Sequence, residues 1–351
     1  DTKLMADQNE NDEREIQMLQ RIGITKEESL AANNFQIVNN CLIIQGQQCL
    51  MKFKNRNDFR FVFARELRQL HSNVFKNCQV EAIFMPQLAE IEETAESRRP
   101  INSTTIRRIC FPQITRIPNL AFHNTGLTSI EENDLPSCLD LGAECFWQCL
   151  ALEIILIPTL QNAGIRCFYN CSSLREIRLK NVQKVGNYCF SGCSQLIQVD
   201  MPQLKSIGNW CFYNCSILPQ INCLQLNYAG SNAFHGCRAL VIVELPALSY
   251  AGPDCFTKCS SIQEIDCGVG PTAFVCNEQY CQAEKLCPAC KGEVWQCFER
   301  GRTSKQRNQI DEILNQMQNQ LYAQQNTIIA LQADLQRERR ERNALLTQLQ
   351  A

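Results

Sequence analysis

Apolar residues recur along the chain at a fixed spacing of 22 residues. A Cys-Phe pair marks this step, with Ala-Phe in its place once, and the pairs begin at Cys145, Cys167, Cys189, Cys211, Ala233 and Cys255. A second cysteine column stands four residues after each pair begins, at Cys149, Cys171, Cys193, Cys215, Cys237 and Cys259. Because equally spaced residues fall on the same side of successive coils, this period predicts one solenoid coil per repeat.

Each repeat also contains a short alternating segment that predicts a strand. The segment has the form x-I-x-L-P, and Pro158, Pro202 and Pro246 stand at its end. Proline cannot donate a hydrogen bond to a neighbouring strand, so it marks where the strand ends. A glycine such as Gly186 lies three residues before each pair and suits a tight turn. The pattern weakens upstream but persists, and we place the solenoid at residues 34–275.

The repeat resembles that of the BspA-like leucine-rich-repeat family, in which L-x-x-I-x-L-P-x-L-x-x-I-G-x-x-A-F-x-x-C recurs. The match is close from Ser173 to Cys193 and again from Gln195 to Cys215, and Cys here replaces the family's usual Ala before Phe. The resemblance implies an α/β leucine-rich-repeat solenoid that serves as a binding scaffold. The family has no common catalytic residues to carry over to this chain.

The 23 cysteines allow two interpretations of the columns. In the first, which we favour, each column residue is a compact buried apolar group, as the replacement by Ala233 suggests. In the second, disulfides join adjacent coils, because a coil spacing of about 4.8 Å falls within the Cα separation of about 4.4–6.8 Å that a disulfide needs. Free thiols indicate a reducing compartment, and disulfides indicate an extracellular one.

A different cysteine cluster follows the solenoid in residues 276–302, where the apolar columns end. Cys287 and Cys290 have the C-x-x-C spacing that lets two thiolates reach one metal ion. With Cys276 and Cys281 they would form a four-sulfur zinc site, and zinc is the one cofactor that the sequence suggests. The alternative is a metal-free cap or linker that covers the end of the core, which solenoids require.

The last segment, residues 303–351, has the heptad pattern of a long α-helical coiled coil. It contains no Gly or Pro, and nine of its twelve a and d positions are apolar, the twelve being Ile310, Leu314, Met317, Leu321, Gln324, Ile328, Leu331, Leu335, Glu338, Arg342, Leu345 and Leu349. We therefore predict a homo-oligomer or a helical partner through this segment. At the other end, residues 1–33 form an acidic segment in which we expect a short helix.

Nothing in the sequence predicts catalysis. No P-loop, H-E-x-x-H or G-x-S-x-G motif occurs. His123 and His235 share a position that varies between coils, and we interpret that position as a solvent-facing turn. A net charge of −2 gives no case for nucleic acid, and no apolar run reaches the roughly 18 residues of a membrane span. The sequence therefore favours a protein-binding module over an enzyme.

The strand segments supply the candidate binding face, because alternate side chains of a strand point outward. One outward position lies eleven residues after the start of each pair, and its residue type varies between coils. We predict that the residues at this position bind a partner. They are Leu156, Arg178, Asp200, Asn222, Glu244 and Asp266. We also expect exposed side chains nine residues after the start of each pair, at Ile154, Glu176, Gln198, Gln220, Ile242 and Glu264.

The favoured function is a cytoplasmic scaffold for a protein partner, and the alternative is a secreted or surface-attached adhesin or antigen.

Overall fold

A computed structural model describes residues 24–268, together with Ile16 and residues 19–20, except for residues 33, 47, 50–52, 54, 72–73, 76, 93–100 and 102–103. These residues all belong to the first of two units, Asp1–Phe298. They form a repeat solenoid in which a typical coil contributes one strand to each of two faces and a turn to a third side. The predicted coiled coil and cysteine cluster lie outside the described residues.

The alternating segments form one face, here called the long-strand face. Its strands are β1 (Gln36–Val38), β2 (Cys41–Ile43), β4 (Phe61–Phe63), β6 (Ala82–Phe84), β8 (Arg108–Cys110), β10 (Ser129–Ile130), β12 (Ile154–Leu156), β14 (Glu176–Arg178), β16 (Gln198–Asp200), β18 (Gln220–Asn222), β20 (Ile242–Leu245) and β22 (Glu264–Cys267). They lie in sheets of five, four and three strands. All the pairs among them are parallel except β1 with β2. The strand register places Ile155 opposite Ile177 and Ile177 opposite Val199, so residues that are 22 apart in the sequence pair with each other in the sheet.

A second set of strands, each two residues long, forms the short-strand face. They are β3 (Gln48–Cys49), β5 (Gln69–Leu70), β7 (Glu90–Ile91), β9 (Arg116–Ile117), β11 (Asp140–Leu141), β13 (Asn162–Ala163), β15 (Lys184–Val185), β17 (Ser206–Ile207), β19 (Tyr228–Ala229) and β21 (Tyr250–Ala251). Gly186 follows β15, and its N–H donates to the Ala163 carbonyl at 2.9 Å. A Cβ on Gly186 would lie 2.7 Å from the backbone of Gly164 and of Ile165. The glycine column therefore permits the close approach of adjacent coils.

The third side of each middle coil is a turn that contains the Cys-Phe pair. Two residues of the turn have positive φ, as at Arg166 (53°) and Asn170 (56°), and the same two positions recur in neighbouring coils. The turns are joined to one another by backbone hydrogen bonds, such as the 2.9 Å bond from the Phe168 N–H to the Cys189 carbonyl. The turn side thus forms a ladder between coils without a strand.

Stacked phenylalanine rings occupy the centre of the solenoid. The rings of Phe146 and Phe168 lie 5.3 Å apart with planes inclined by 1°, and those of Phe168 and Phe190 lie 5.3 Å apart and inclined by 2°. The stack contains Phe122, Phe146, Phe168, Phe190, Phe212, Phe234 and Phe256. Burial of each such side chain contributes about 1.5–3 kcal/mol. Because the rings face rings of other coils, this contribution exists only when coils stack.

A small second core lies on the outward side of the five-stranded long-strand sheet, where Ile43, Phe63, Phe84 and Cys110 are aligned in register. Helix α1 (Lys26–Ala31) begins with a capping box, in which the Glu28 N–H donates to Thr25 Oγ1 at 3.1 Å and the Thr25 N–H donates to the Glu28 carboxylate at 2.8 Å. Leu19, Ile24, Ala32, Cys41, Ile43, Phe63, Phe84 and Cys110 form the core beside it. Ile16, Leu19 and Gln20, the described residues of the expected N-terminal helix, are helical.

The structure corrects one part of the predicted fold class. The repeat solenoid is confirmed, but its described coils consist of strand and turn, with helix limited to α1 and the residues before it. The α part of the α/β prediction is therefore wrong for these coils. The physical reason lies in the turn side, where positive-φ positions, two in each coil from Leu120 onward, interrupt any run of helical residues.

Candidate functional site

The six residues predicted to bind a partner lie in a row on the long-strand face. Parallel register places Arg178 between Leu156 and Asp200. In the next sheet it places Glu244 between Asn222 and Asp266. Asn222 and Asp266 are exposed and the other four are half-buried, so all six side chains reach the surface. We call these six residues the outward row, and its role in binding stays a prediction.

The second position that we expected to be exposed is less accessible. Ile154, Gln198 and Gln220 are half-buried, but Glu176 and Ile242 are buried, with 8% and 6% of their surfaces exposed. The expectation of exposure is therefore wrong for Glu176 and Ile242. Glu176 forms an ion pair with Arg178 on the same strand, and only about a tenth of its side chain is exposed, 10% against 39% for Arg178.

Charge changes along the outward row. Arg178 stands near one end beside the carboxylate of Glu176, whereas the other end contains two neighbouring carboxylates, Glu244 and Asp266. Like charges opposite one another on adjacent strands destabilise a sheet by a few tenths of a kcal/mol to about 1 kcal/mol. The acidic end therefore costs some folding free energy and gives that end of the row a negative electrostatic field.

The first cysteine column lies in the core beside the phenylalanine stack. Its members are buried, as the apolar interpretation expects, and each is a free thiol in the structure. Burial raises the pKa of the Cys167, Cys189 and Cys211 thiols well above the ordinary value, because a thiolate there would lose its hydration. Neighbouring thiols in the column also contact each other, as Cys167 does with Cys145 and Cys189. These buried, protonated thiols are poor nucleophiles.

The second cysteine column has a polar role that the sequence interpretation missed. The Cys193 thiol donates to the Phe168 carbonyl of the preceding coil at 3.3 Å, and that oxygen also accepts from the Cys171 N–H at 3.3 Å. The same thiol-to-carbonyl bond recurs along the column, at 3.1–3.3 Å, from Cys149, Cys171, Cys215, Cys237 and Cys259. One coil earlier the position holds Thr125, another donor. The residues at this position are Cys or Thr and never Ala, and this preference for a donor is the sequence signal that could have predicted the hydrogen bond.

The turn position that contains His123 and His235 is not solvent-facing. Ser191, His235 and Thr257 are buried at this position, and the other side chains there are half-buried. Rings from successive coils contact each other, as His123 does with Trp147 at 5.2 Å between centroids. The expected solvent-facing turn is therefore wrong for Ser191, His235 and Thr257, and the rings at this position in the other coils are only partly exposed because neighbouring rings cover them.

The predicted zinc ligands Cys276, Cys281, Cys287 and Cys290 lie outside the described residues, so the zinc site stays a prediction. Within the described residues, no group of three or more His, Cys, Asp or Glu side chains has the geometry to hold a metal ion. The helices described in this part of the chain are too short or too polar to cross a bilayer.

Comparison with protein families decides the relationship that the repeat suggests. The model of the BspA type leucine rich repeat region matches in six copies, at residues 26–102, 101–216 and 183–274. The chain belongs to the BspA type leucine-rich-repeat family. The matched residues extend through almost all of the described solenoid, so this BspA-type assignment applies to the faces and columns described above.

Several solved structures resemble the BspA-type solenoid. A leucine rich repeat protein of T. pallidum is 21% identical, with 55% of this chain and 82% of that chain covered and a TM-score of 0.41. A leucine rich cell surface protein of Faecalibacterium prausnitzii is 16% identical over 59% and 66%, with a TM-score of 0.38. The pneumococcal vaccine antigen PcpA is 14% identical over 67% and 77%, with a TM-score of 0.29. At these identities the likeness concerns the fold. A comparison with curated proteins gives no match.

The buried thiols predict a steep loss of stability in alkaline solution. Their folded-state pKa is raised, so the folded protein keeps each proton while the unfolded chain releases it above about pH 8.5. Each such thiol then lowers the free energy of unfolding by about 1.4 kcal/mol per pH unit. Urea unfolding with reductant is measured from about pH 7 to about pH 9.5. Above about pH 8.5 the free energy of unfolding should fall with pH several times more steeply than a single thiol would cause.

The matched variant is Cys145→Ala, Cys189→Ala and Cys211→Ala, which repeats the natural substitution at Ala233. Removal of three thiols should flatten the alkaline slope by about 4 kcal/mol per pH unit. If the variant and the parent protein lose stability at the same rate above about pH 8.5, the thiols are not buried as described.

Proposed function

We propose that the chain is a non-catalytic protein-binding solenoid that binds its partner through the outward row of the long-strand face. The supporting observation is a contrast within single strands. Inward residues such as Ile155, Ile177 and Val199 are alike from coil to coil, whereas the adjacent outward residues differ in charge, size and polarity. Repeat scaffolds of this kind keep the core columns uniform and vary the surface that recognises a partner.

The acidic end of the row favours a partner with a basic surface. Asn222, Glu244 and Asp266 lie on consecutive parallel strands, which places the three polar side chains within about 10 Å of one another. A cluster of this size matches a few Lys or Arg side chains on the partner, and its field accelerates the encounter. Binding should therefore weaken as salt concentration rises.

Charge reversal tests the proposed face. The variant Asp200→Lys, Glu244→Lys and Asp266→Lys should lose at least about tenfold in affinity, because attraction to a basic partner becomes repulsion. The partner is first captured by cross-linking to the full chain in its own cells, and the affinity of the purified partner is then measured by calorimetry at two salt concentrations.

A control variant reverses the same number of charges elsewhere, through Glu90→Lys, Glu132→Lys and Asp140→Lys. Glu90 and Asp140 lie on the short-strand face, and Glu132 lies just after β10. This variant should bind as the parent does. Equal binding by both variants would exclude the outward row, provided that both melt at the parent temperature.

Two locations accompany the proposed function. The cytoplasmic location was the expectation from the sequence, and nothing in the comparisons adds to it. The second candidate is a secreted or surface-attached antigen of the BspA-like type. The F. prausnitzii protein is described as a cell surface protein and PcpA as a vaccine antigen, and these descriptions agree with the second candidate. Both locations use the same binding face.

Thiol chemistry separates the two locations. Protein isolated from its own cell without reductant is alkylated before and after unfolding, and the modified cysteines are identified by mass spectrometry. If the protein is extracellular, we expect neighbouring first-column cysteines such as Cys167 and Cys189 to be linked and to resist alkylation in both states. Cysteines that are blocked when folded and modified when unfolded would instead support the reducing compartment.

Two further elements of the proposal come from the sequence alone. Residues 303–351 would join copies of the chain, or a helical partner, through their heptad seam. Cys276, Cys281, Cys287 and Cys290 would hold a zinc ion in or beside a cap for the solenoid. Both elements would add avidity or stability to the binding module without changing the face that it uses.

A further inference from the structure

Aromatic side chains form a continuous ribbon on the turn side of the solenoid. This aromatic ribbon consists of His123, Trp147, Tyr169, Tyr188, Trp210, Tyr213 and His235, in which each ring contacts the next at 4.9–6.5 Å between centroids. All of these side chains except His235 are half-buried, so their rings reach the surface. The ribbon lies on a different side of the coils from the long-strand face and is not used by the function proposed above.

Two members of the ribbon occupy backbone positions that disfavour large side chains. Tyr188 and Trp210 have φ of 57° and 59°. The same turn position holds Leu120, Glu144 and Arg166 in the preceding coils and Asn232 and Asp254 in the next ones, all with nearly the same φ. Asparagine and aspartate adopt this conformation readily, whereas a bulky residue there is an outlier. Two successive coils thus carry a ring at a position where Asn232 and Asp254 show that a small polar residue suits the backbone.

The surroundings of the ribbon select an uncharged ligand. The Arg166 guanidinium lies 5.9 Å from the Trp147 ring centroid and 5.3 Å from that of Tyr188, and it also pairs with Glu144 at 3.2 Å. A cation already occupies those ring faces, so a cationic ligand would be repelled there. The two turns that contain Tyr188 and Trp210 have no charged residue from 187 to 193 or from 209 to 215, and their polar groups include amides and hydroxyls.

The spacing of the rings matches a polyproline II helix. Tyr169 and Tyr213 hold the same turn position two coils apart, and the small Ser191 separates them. Two coils advance by about 10 Å at the spacing of paired strands. A polyproline II helix advances about 9 Å in each three-residue turn. A proline at every third residue would therefore meet a ring at every second coil, and aromatic surfaces are a common means of recognising such segments.

We propose that the aromatic ribbon binds a proline-rich segment of another protein in the polyproline II conformation. The segment runs across successive coils over Tyr169, Tyr188, Trp210 and Tyr213. The tyrosine hydroxyls and neighbouring amides donate hydrogen bonds to its carbonyls, while the rings contact its prolines. Because the ribbon and the outward row share no residue, failure of this proposal leaves the proposed function untouched.

Calorimetry with the full chain tests the ligand class. The probes are an oligoproline peptide, a Gly-Ser peptide of equal length and a neutral linear oligosaccharide. We expect saturable binding of oligoproline, with a dissociation constant in the micromolar to millimolar range, and no binding of the other two. Absence of oligoproline binding would overturn the proposal, as would binding of the oligosaccharide in its place.

Variants then locate the site. Tyr188→Asn with Trp210→Asn should weaken oligoproline binding by at least about tenfold without lowering the melting temperature, because asparagine accepts positive φ. The matched control is Tyr228→Asn with Tyr250→Asn, which removes a stacked pair 5.0 Å apart on the short-strand face and should bind as the parent does.

Tyr213→Ser is a second ribbon variant. It repeats the serine that Ser191 supplies one coil earlier, and it should also weaken binding. Retained binding by both folded ribbon variants, or equal loss in the control, would overturn the site.

Discussion

Contact between equivalent residues of successive coils is the interaction on which the rest of the structure depends. A single coil has no interior, so Phe168 is buried only because Phe146 and Phe190 lie 5.3 Å away on either side. Hydrogen bonds cross the same boundaries on all three sides of the coil, and most of the described backbone pairing is between coils. Such a stack tolerates little drift in spacing, and this explains why the 22-residue period is kept from Cys145 to Cys259.

The same constraint leaves other positions free and so allows function. Residues that point inward must pack against the equivalent residues one coil away, so their size and polarity are restricted. Residues that point outward need only avoid clashes with the equivalent residues one coil away. The long-strand face uses this freedom for charge, since Arg178 and Asp200 are neighbours in register. The turn side uses it for aromatic rings, including Tyr188 and Trp210 at positive φ. One scaffold thus presents two surfaces of different chemistry, a charged row and a neutral ribbon.

Much of the fold could be predicted from the sequence, because a strict period fixes which residues face each other. The strands, the glycine turns and the buried columns follow from spacing alone. What could not be predicted depends on contacts between coils that the spacing does not describe. The burial of Glu176 beside Arg178 and the hydrogen bond from the Cys193 thiol to the Phe168 carbonyl of the preceding coil are features that the spacing does not describe. Helix was expected from the resemblance, but the positive-φ turn positions exclude it from the coils.

The most direct test of this account is to lengthen the chain by one coil. A second copy of residues 186–207 inserted after Ile207 preserves every column, whereas insertion of residues 186–196 alone shifts all later columns by half a coil. Denaturant unfolding with reductant should show an unchanged or higher midpoint and a larger m-value for the whole-coil insertion, because one more coil buries surface. The half-coil insertion should lower the midpoint strongly. Equal effects of the two insertions would contradict the claim that stacked, equivalent coils hold the protein together.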